Sequence, residues 1–314
     1  EEPDDEVNRP APDSSGAPQF LYNSSNTGYA PDEAGPTDSV TEAWSFSRGP
    51  VEEADQSPAV VDGTVYVGSR LGGIHARNAV DGTERWVFST NSNVGSSPAV
   101  VEGTVYFGND EGVVYALNAT EGTREWFFET GNMVRSSPAV VDDTVFIGSD
   151  DFNVYAIDAA DGTERWVFET GNIVRSSPAV ENGTVYVGNQ NGNVFAIDAV
   201  DGAEQWAFET GDRPTSSIGS QMYSSPAVVE GTVYIGSQDT NVYAIDAADG
   251  TEQWTFQTDL LVTSSPAVAD GTVYVGSHDG NVYAIDAADG TEQWSYETDG
   301  RVSSSPAVVE QTVY

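Results

Sequence analysis

The 314-residue chain has no cysteine and no lysine; its eleven basic residues are all arginine, and it holds two histidines and two methionines. Without cysteine there is no disulfide framework and no thiol chemistry. His75 and His278, far apart and without cysteine near them, give no basis for a zinc site or a Ser-His-Asp triad. No apolar run reaches about 18 residues, so no segment reads as a membrane-spanning helix. No stretch sustains a helical period. Neither a phosphate loop nor a dinucleotide fingerprint is present, and the 32 glycines are spaced as turns.

What is abundant is acid. Fifty Asp and Glu against eleven Arg give a formal charge of −39. Such a field repels nucleic acid and anionic membrane surfaces. The excess runs through the whole chain, in copies such as Asp161, Glu164 and Glu169, so an acidic tail does not account for it. It reads as the surface of a protein working in near-saturating salt, where self-repulsion is screened; an ordinary acidic protein is the alternative. Residues 1–18 are rich in Glu, Asp, Pro and Ser and read as a disordered acidic tether. The sequence opens on Glu1 without Met, which with the tether suggests an exported protein of the cell surface or exterior, lipid-anchored or freely secreted. Sequons at Asn23, Asn118 and Asn182 are compatible with surface glycosylation.

The strongest pattern is a repeat. Ser-Pro-Ala-Val occurs seven times, with prolines at Pro58, Pro98, Pro138, Pro178, Pro226, Pro266 and Pro306, in steps of 40, 40, 40, 48, 40 and 40 residues. All seven tryptophans follow it: Trp44, Trp86, Trp126, Trp166, Trp206, Trp254 and Trp294. A fixed period of this size means a propeller, solenoid or array. Between residues 137 and 170, four short runs of β-branched and aromatic residues are separated by Asp142-Asp143, by 149–152 and by Asp161-Gly162. Four short antiparallel strands per repeat, here named A to D, predict a β-propeller blade.

A stricter signature sits inside each repeat. Ala156-x-Asp158-x-x-Asp161-Gly162-x-x-x-Trp166 recurs at 196–206, 244–254 and 284–294, and with Asn78 and Asn118 at 76–86 and 116–126. Gly supplies the positive φ of a hairpin, Asp or Asn bonds nearby amides, and Trp offers a flat surface between blades. This resembles the tryptophan-docking motif of the PQQ-like propeller family, with Asp or Glu where that family usually has Thr. The resemblance covers about residues 40–314. Residues 19–47, with Asn26-Thr27-Gly28-Tyr29-Ala30-Pro31 ahead of Trp44, are similar to the family's N-terminal segment and are expected to be ordered against the propeller; 48–314 form the blades. Six complete blades and a seventh A–B hairpin at 304–314 predict seven blades, the Trp44 strand completing the last. An eight-bladed ring cut short, with its ends apart, is the competing reading.

Candidate site residues gather on the face shared by the D–A and B–C loops, where the resemblance implies that quinoproteins hold their cofactor. Eight extra residues around 212–222 lengthen one D–A loop there, bringing Arg213 and Gln221. Arg135 and Arg175 stand at equivalent positions just before strand A, placed to clamp a carboxylate or phosphate; the alternative is pairing with local Asp or Glu. Asp110, Asp150 and Asp279 in the B–C turns are candidate Ca²⁺ ligands, although turn formation alone accounts for them.

Three functions are weighed. The first, favoured, is a noncatalytic extracellular propeller that binds another protein or a small anionic ligand, similar to BamB-type lipoprotein scaffolds. The second is a PQQ-dependent dehydrogenase. The resemblance implies for such enzymes about twice this length, a Ca²⁺ ligand set, an Asp base and a vicinal cysteine pair, and no residue here aligns with a catalytic one. The third is a sensor or adhesion domain of a larger cell-surface protein. No cofactor is expected; PQQ and Ca²⁺ are left without specific residues.

Overall fold

A computed structural model describes residues 23, 26, 29–30, 42, 44–46, 56–211, 223–309 and 312–314. Residues 1–18, expected as a tether, lie outside the described residues, as does most of 19–47.

Six four-stranded antiparallel sheets follow one another, and in each the strand order is the sequence order. The third shows the plan: A, Ala139–Val141; B, Thr144–Gly148; C, Asn153–Asp158; D, Glu164–Glu169. The local chemistry dictates these bounds. The A–B hairpin turns on two residues with positive φ, an acid or Asn followed by Gly in five blades and Asp142-Asp143 in the third. Such turns match the twist of the flanking strands. At the C–D hairpin, Asp158 Oδ1 accepts the amides of Ala160 and Asp161, and Asp161 Oδ1 accepts the amide and hydroxyl of Thr163. A bulge then places Trp166 opposite Ala156, a residue small enough to leave the indole free to lean outward.

Blades lock to one another through the tryptophans. The Trp126 indole lies on Gly162 of the next blade and donates to the Ala159 carbonyl at 2.8 Å. Trp86, Trp166, Trp206 and Trp254 donate in the same way to Ala119, Ala199, Ala247 and Ala287. The hydrophobic clusters run between blades: Ala99, Tyr106 and Trp126 pack with Val140, Val145 and Ile157 of the next sheet.

Around the axis runs a belt of serines. The Ser97 amide donates to Ser137 Oγ, Ser137 to Ser177, Ser177 to Ser225, Ser225 to Ser265 and Ser265 to Ser305, at 2.8–3.0 Å, after a first link from Ser57 to Ser97. The 48-residue step is absorbed without breaking it. The serine of Ser-Pro-Ala-Val is thus the tie between neighbouring A strands. Among the described residues no bond returns from Ser305 to Ser57.

The seventh sheet has three strands in the order Tyr29–Ala30, Val308–Val309, Thr312–Val313. Tyr29–Ala30 runs parallel to Val308–Val309, on the side opposite Thr312–Val313. Tyr29–Ala30 thus takes the inner edge of the C-terminal hairpin, a strand that the sequence does not point to. Trp44 donates to Ala79 and lies on Gly82, the seat that each D-strand tryptophan takes on its successor, which is the place expected for the closing tryptophan of the last blade. Val60 is 50% exposed and Trp294 41%, whereas Val100 is 2% and Trp126 7%. The sides of the first and sixth blades that face the seventh are thus less covered than those between inner blades.

Candidate functional site: the D–A and B–C loop face

Two sets of residues interleave on this face. One stands three residues before each repeat proline: Gly95, Arg135, Arg175, Tyr223, Thr263 and Ser303. The other stands two residues after the Gly that ends strand B: Arg70, Asp110, Asp150, Gln190, Gln238 and His278. A B–C turn of one blade meets the pre-A residue of the next.

Arg135 donates Nε and Nη2 to Asp110 at 2.9 and 3.2 Å, and Asn93 donates to the same carboxylate. Arg175 grips Asp150 by Nε and Nη2, at 3.0 and 2.7 Å to one oxygen each. Burial raises the Asp110 carboxyl, but the bonds from Arg135 and Asn93 and the charges of Arg135 and Arg175 outweigh it and hold it below the usual range. Asp150 pushes the Arg175 guanidinium up against its burial, with help from the Tyr223 hydroxyl. Both arginines thus pair across a blade boundary with candidate Ca²⁺ ligands of the preceding blade. Gly95 leaves room for the first of these pairs: a Cβ there would sit 3.1 Å from Arg135 Cγ and 3.2 Å from Asp110 Oδ1. Sequence reading weighed pairing of these arginines with a local Asp or Glu but did not name Asp110 and Asp150 as the partners; the constant offset of 25 residues was the available signal.

Asp279 is held differently. Its carboxylate caps the Asn281 amide and accepts from the Tyr283 hydroxyl at 2.9 Å. Asp151 with Tyr155 and Asp239 with Tyr243 repeat this cap. Burial first, then the carboxylate, raises all three phenols, Tyr243 and Tyr283 to about 12. Asp110, Asp150 and Asp279 do not converge, and among the described residues no three His, Asp or Glu side chains gather as metal ligands.

The rest of the ring is polar. His278 Nε2 lies 2.9 Å from Thr263 Oγ1 and 3.1 Å from Ser303 Oγ, and burial, then Arg301, lowers its pKa. Gln190, in the place of Asp150 one blade on, keeps a buried Nε2 without a partner. Arg213 and Gln221 lie outside the described residues. Next to the Ser303 end of this ring, a cleft of about 410 Å³ opens beside the exposed Trp294, lined also by Gly276, Tyr296, Val302, Ser304 and Val313.

Three overlapping stretches, residues 36–140, 111–254 and 216–314, match the family profile described as outer membrane protein assembly factor BamB. Among solved structures, BamB from Moraxella catarrhalis superposes with a TM-score of 0.69 at 21% identity, covering 79% of this chain and 77% of that one. A europium-containing methanol dehydrogenase superposes with a TM-score of 0.60 at 15% identity, covering 94% and 88%. At these identities the superpositions speak for the fold. No curated protein sequence matches.

Proposed function

The chain belongs to the family of the outer membrane protein assembly factor BamB, and from that premise we propose that it is a noncatalytic binding scaffold outside the cell, engaging an anionic surface of a protein partner through its D–A and B–C loop face. The observation that carries this reading is the paired state of Arg135. Its Nε and Nη2 are committed to Asp110, its side chain is 36% exposed, and Nη1 makes no hydrogen bond among the described residues. One edge of the fork is fixed and the other is presented, which suits bidentate capture of a partner's carboxylate. Arg175 stands one blade on with the same anchoring. Each arginine is balanced by its aspartate, so what the two bring to this rim, on a chain of net charge −39, is oriented N–H donors rather than excess positive charge.

The acid-rich surface suits work in concentrated salt, where the Debye length falls to about 3 Å at 1 M and long-range repulsion vanishes. Recognition then depends on contact, as the Arg135 fork provides. Export to the cell surface, by lipid anchor or free secretion, fits the family description and the acidic composition of residues 1–18.

The test is crosslinked capture from envelope extract of the source cells in molar salt, comparing the native chain with Arg135→Gln/Arg175→Gln, both first shown to melt cooperatively. A partner held by the native chain and lost from the variant is expected. Equal capture overturns the assignment of the face. Dye-linked oxidation of alcohols or aldoses after addition of PQQ and Ca²⁺ overturns the noncatalytic reading.

A further inference from the structure

The sixth blade presents to the seventh a joint built like those between inner blades. Its B strand, Thr272–Gly276, carries Tyr274, and its D strand, Glu292–Glu297, carries Trp294 and Tyr296. In an inner joint the tyrosine and the tryptophan donate to one carbonyl of the next blade, as Tyr234 and Trp254 do to Ala287 at 3.2 and 2.9 Å. Three further joints repeat this convergence. Tyr274 and Trp294 hold the same posture, with ring centroids 5.9 Å apart at 48°, against 5.8 Å and 42° for Tyr234 and Trp254. Among the described residues neither makes that bond, and Trp294 and Tyr296 lie exposed. Two aligned donors therefore face outward, set for a single acceptor.

A sheet edge stands beside this seat. Ala307 and Tyr314 exchange both backbone bonds, so the N–H and C=O of Val313 point away from the hairpin. In the sixth blade the equivalent Val273 pairs with Ile285 of strand C, and Tyr274 with Ala284. The cleft of about 410 Å³ opens at this edge, among Gly276, Trp294, Tyr296, Val302 and Val313. In the preceding joint strand C fills the corresponding space: Tyr283 stands edge-on to Phe256 at 5.3 Å, and Ile285 packs in one cluster with Trp254 and Val262. Trp44 already holds the D-strand place on Gly82. A strand added beside Thr312–Val313 would thus lie between B and D, as strand C does in every inner blade.

We propose that this face is a docking groove for a partner protein, which adds in trans a β-strand and glycine hairpin of the pattern Val-Tyr-Ala-Ile-Asp-Ala-x-Asp-Gly. The inner joints define that chemistry. Tyr meets the D-strand ring, Ile enters the cleft, the second Ala offers the carbonyl, and Gly lies bare under the indole, since a Cβ on Gly290 would stand 2.8 Å from Trp254 Cδ2. A second copy has no such hairpin to give, because each one from Gly82 to Gly290 already carries a tryptophan of its own chain. Backbone pairing at the edge supplies affinity and the seats supply specificity, the β-addition mode of recognition. The donors and rings are posed beforehand, so little ordering opposes binding. No charged side chain lines the cleft, so molar salt leaves it effective. The groove uses neither Arg135 nor Arg175, so either proposal can fail without the other.

The test uses the full-length chain in molar KCl and a fluorescently labelled synthetic peptide with the sequence of residues 281–291, which contains no tryptophan. Saturable binding to the native chain is expected, with slower hydrogen exchange at the Val313 amide. Binding should weaken at least about tenfold for Trp294→Ala, and by as much for a peptide carrying Ala in place of its Gly. The Arg135→Gln/Arg175→Gln chain should bind as the native chain does. If Trp294→Ala folds poorly, the Gly and Ala peptides decide the matter, because comparing them changes nothing in the chain. Failure of the peptide to bind overturns the proposal, as does equal binding of the two peptides or equal binding by a folded Trp294→Ala chain. Binding with unchanged exchange at Val313 overturns it too, since the strand is then not added at that edge. A dimer of the native chain that Trp294→Ala dissolves, seen by sedimentation, would put a second copy on this face and overturn the choice of partner.

Discussion

Trp126 and Gly162 fit so closely that a single methyl on the glycine would stand 2.8 Å from the indole Cδ2. Gly162 also has φ 76°, so its lack of a side chain serves both the hairpin and the seat. The same pair recurs at Trp44 with Gly82, Trp86 with Gly122, Trp166 with Gly202, Trp206 with Gly250 and Trp254 with Gly290. Trp294 has no such seat among the described residues. The Ala-x-Asp-x-x-Asp-Gly-x-x-x-Trp spacing is therefore a joint written in two consecutive repeats, half in each.

That asymmetry sets the first prediction. Trp126→Ala removes a buried indole, its bond to Ala159 and the cover of Gly162, and should cost about 3–5 kcal/mol. Trp294→Ala removes a half-exposed ring and should cost under about 1.5 kcal/mol. Denaturant midpoints of the two variants check this, and equal losses would show that docking is not what stabilises the ring.

Backbone strain gives a stabilising change. The residue before strand C is Gly in four B–C turns, but Phe152 in the third blade and Thr240 in the fifth, both at φ 80°. A β-branched residue is poorly suited to that region. Thr240→Gly should raise stability by about 1 kcal/mol, after the entropic cost of glycine in the unfolded chain is deducted. A lower melting temperature would mean that the Thr240 side chain makes a compensating contribution.

The phenol–carboxylate caps predict alkaline sensitivity. Tyr243 and Tyr283 titrate at about 12 in the folded chain and near 10 when unfolded. Because the folded value is the higher, their contribution is whole below about pH 10 and is lost as pH rises toward 12. Tyr243→Phe and Tyr283→Phe together should flatten the fall in stability over that window. Ultraviolet titration should show the native chain releasing these protons late.

Salt should stabilise the chain. With a formal charge of −39, repulsion acts over about 30 Å at 0.01 M salt and over about 3 Å at 1 M. The melting temperature is expected to climb steadily from low to molar KCl. A flat profile would remove the case for a surface adapted to concentrated salt.

Sequence periodicity determined the blade. Strand length, turn position and the tryptophan rhythm depend on neighbours within one repeat, and chemistry at short range fixes them: Asp158 caps its own hairpin, and Gly162 takes its own positive φ. Four strands per repeat and a propeller architecture were legible for that reason, and the family match agrees. The face on which Arg135 and Arg175 stand was legible as well, because a repeat carries its loop positions with it.

What joins one repeat to another was not legible. Arg135 has Asp and Glu residues near it in sequence, and only the apposition of blades selects Asp110, 25 residues back. The serine belt hides in a motif whose proline draws attention first; Ser137 matters because the amide of Ser97 needs an acceptor across the blade boundary. The partner of the C-terminal hairpin was the farthest from view. Trp44 carries the local signature of a closing strand and takes the closing seat on Gly82, but no local signature marks Tyr29–Ala30 for the inner edge of Val308–Val309, or Asn26 for two carbonyls 151 and 152 residues away. Local propensity specifies which hydrogen-bonding groups a segment offers. Which distant edge receives them is decided when the blades assemble around the axis and leave that edge within reach.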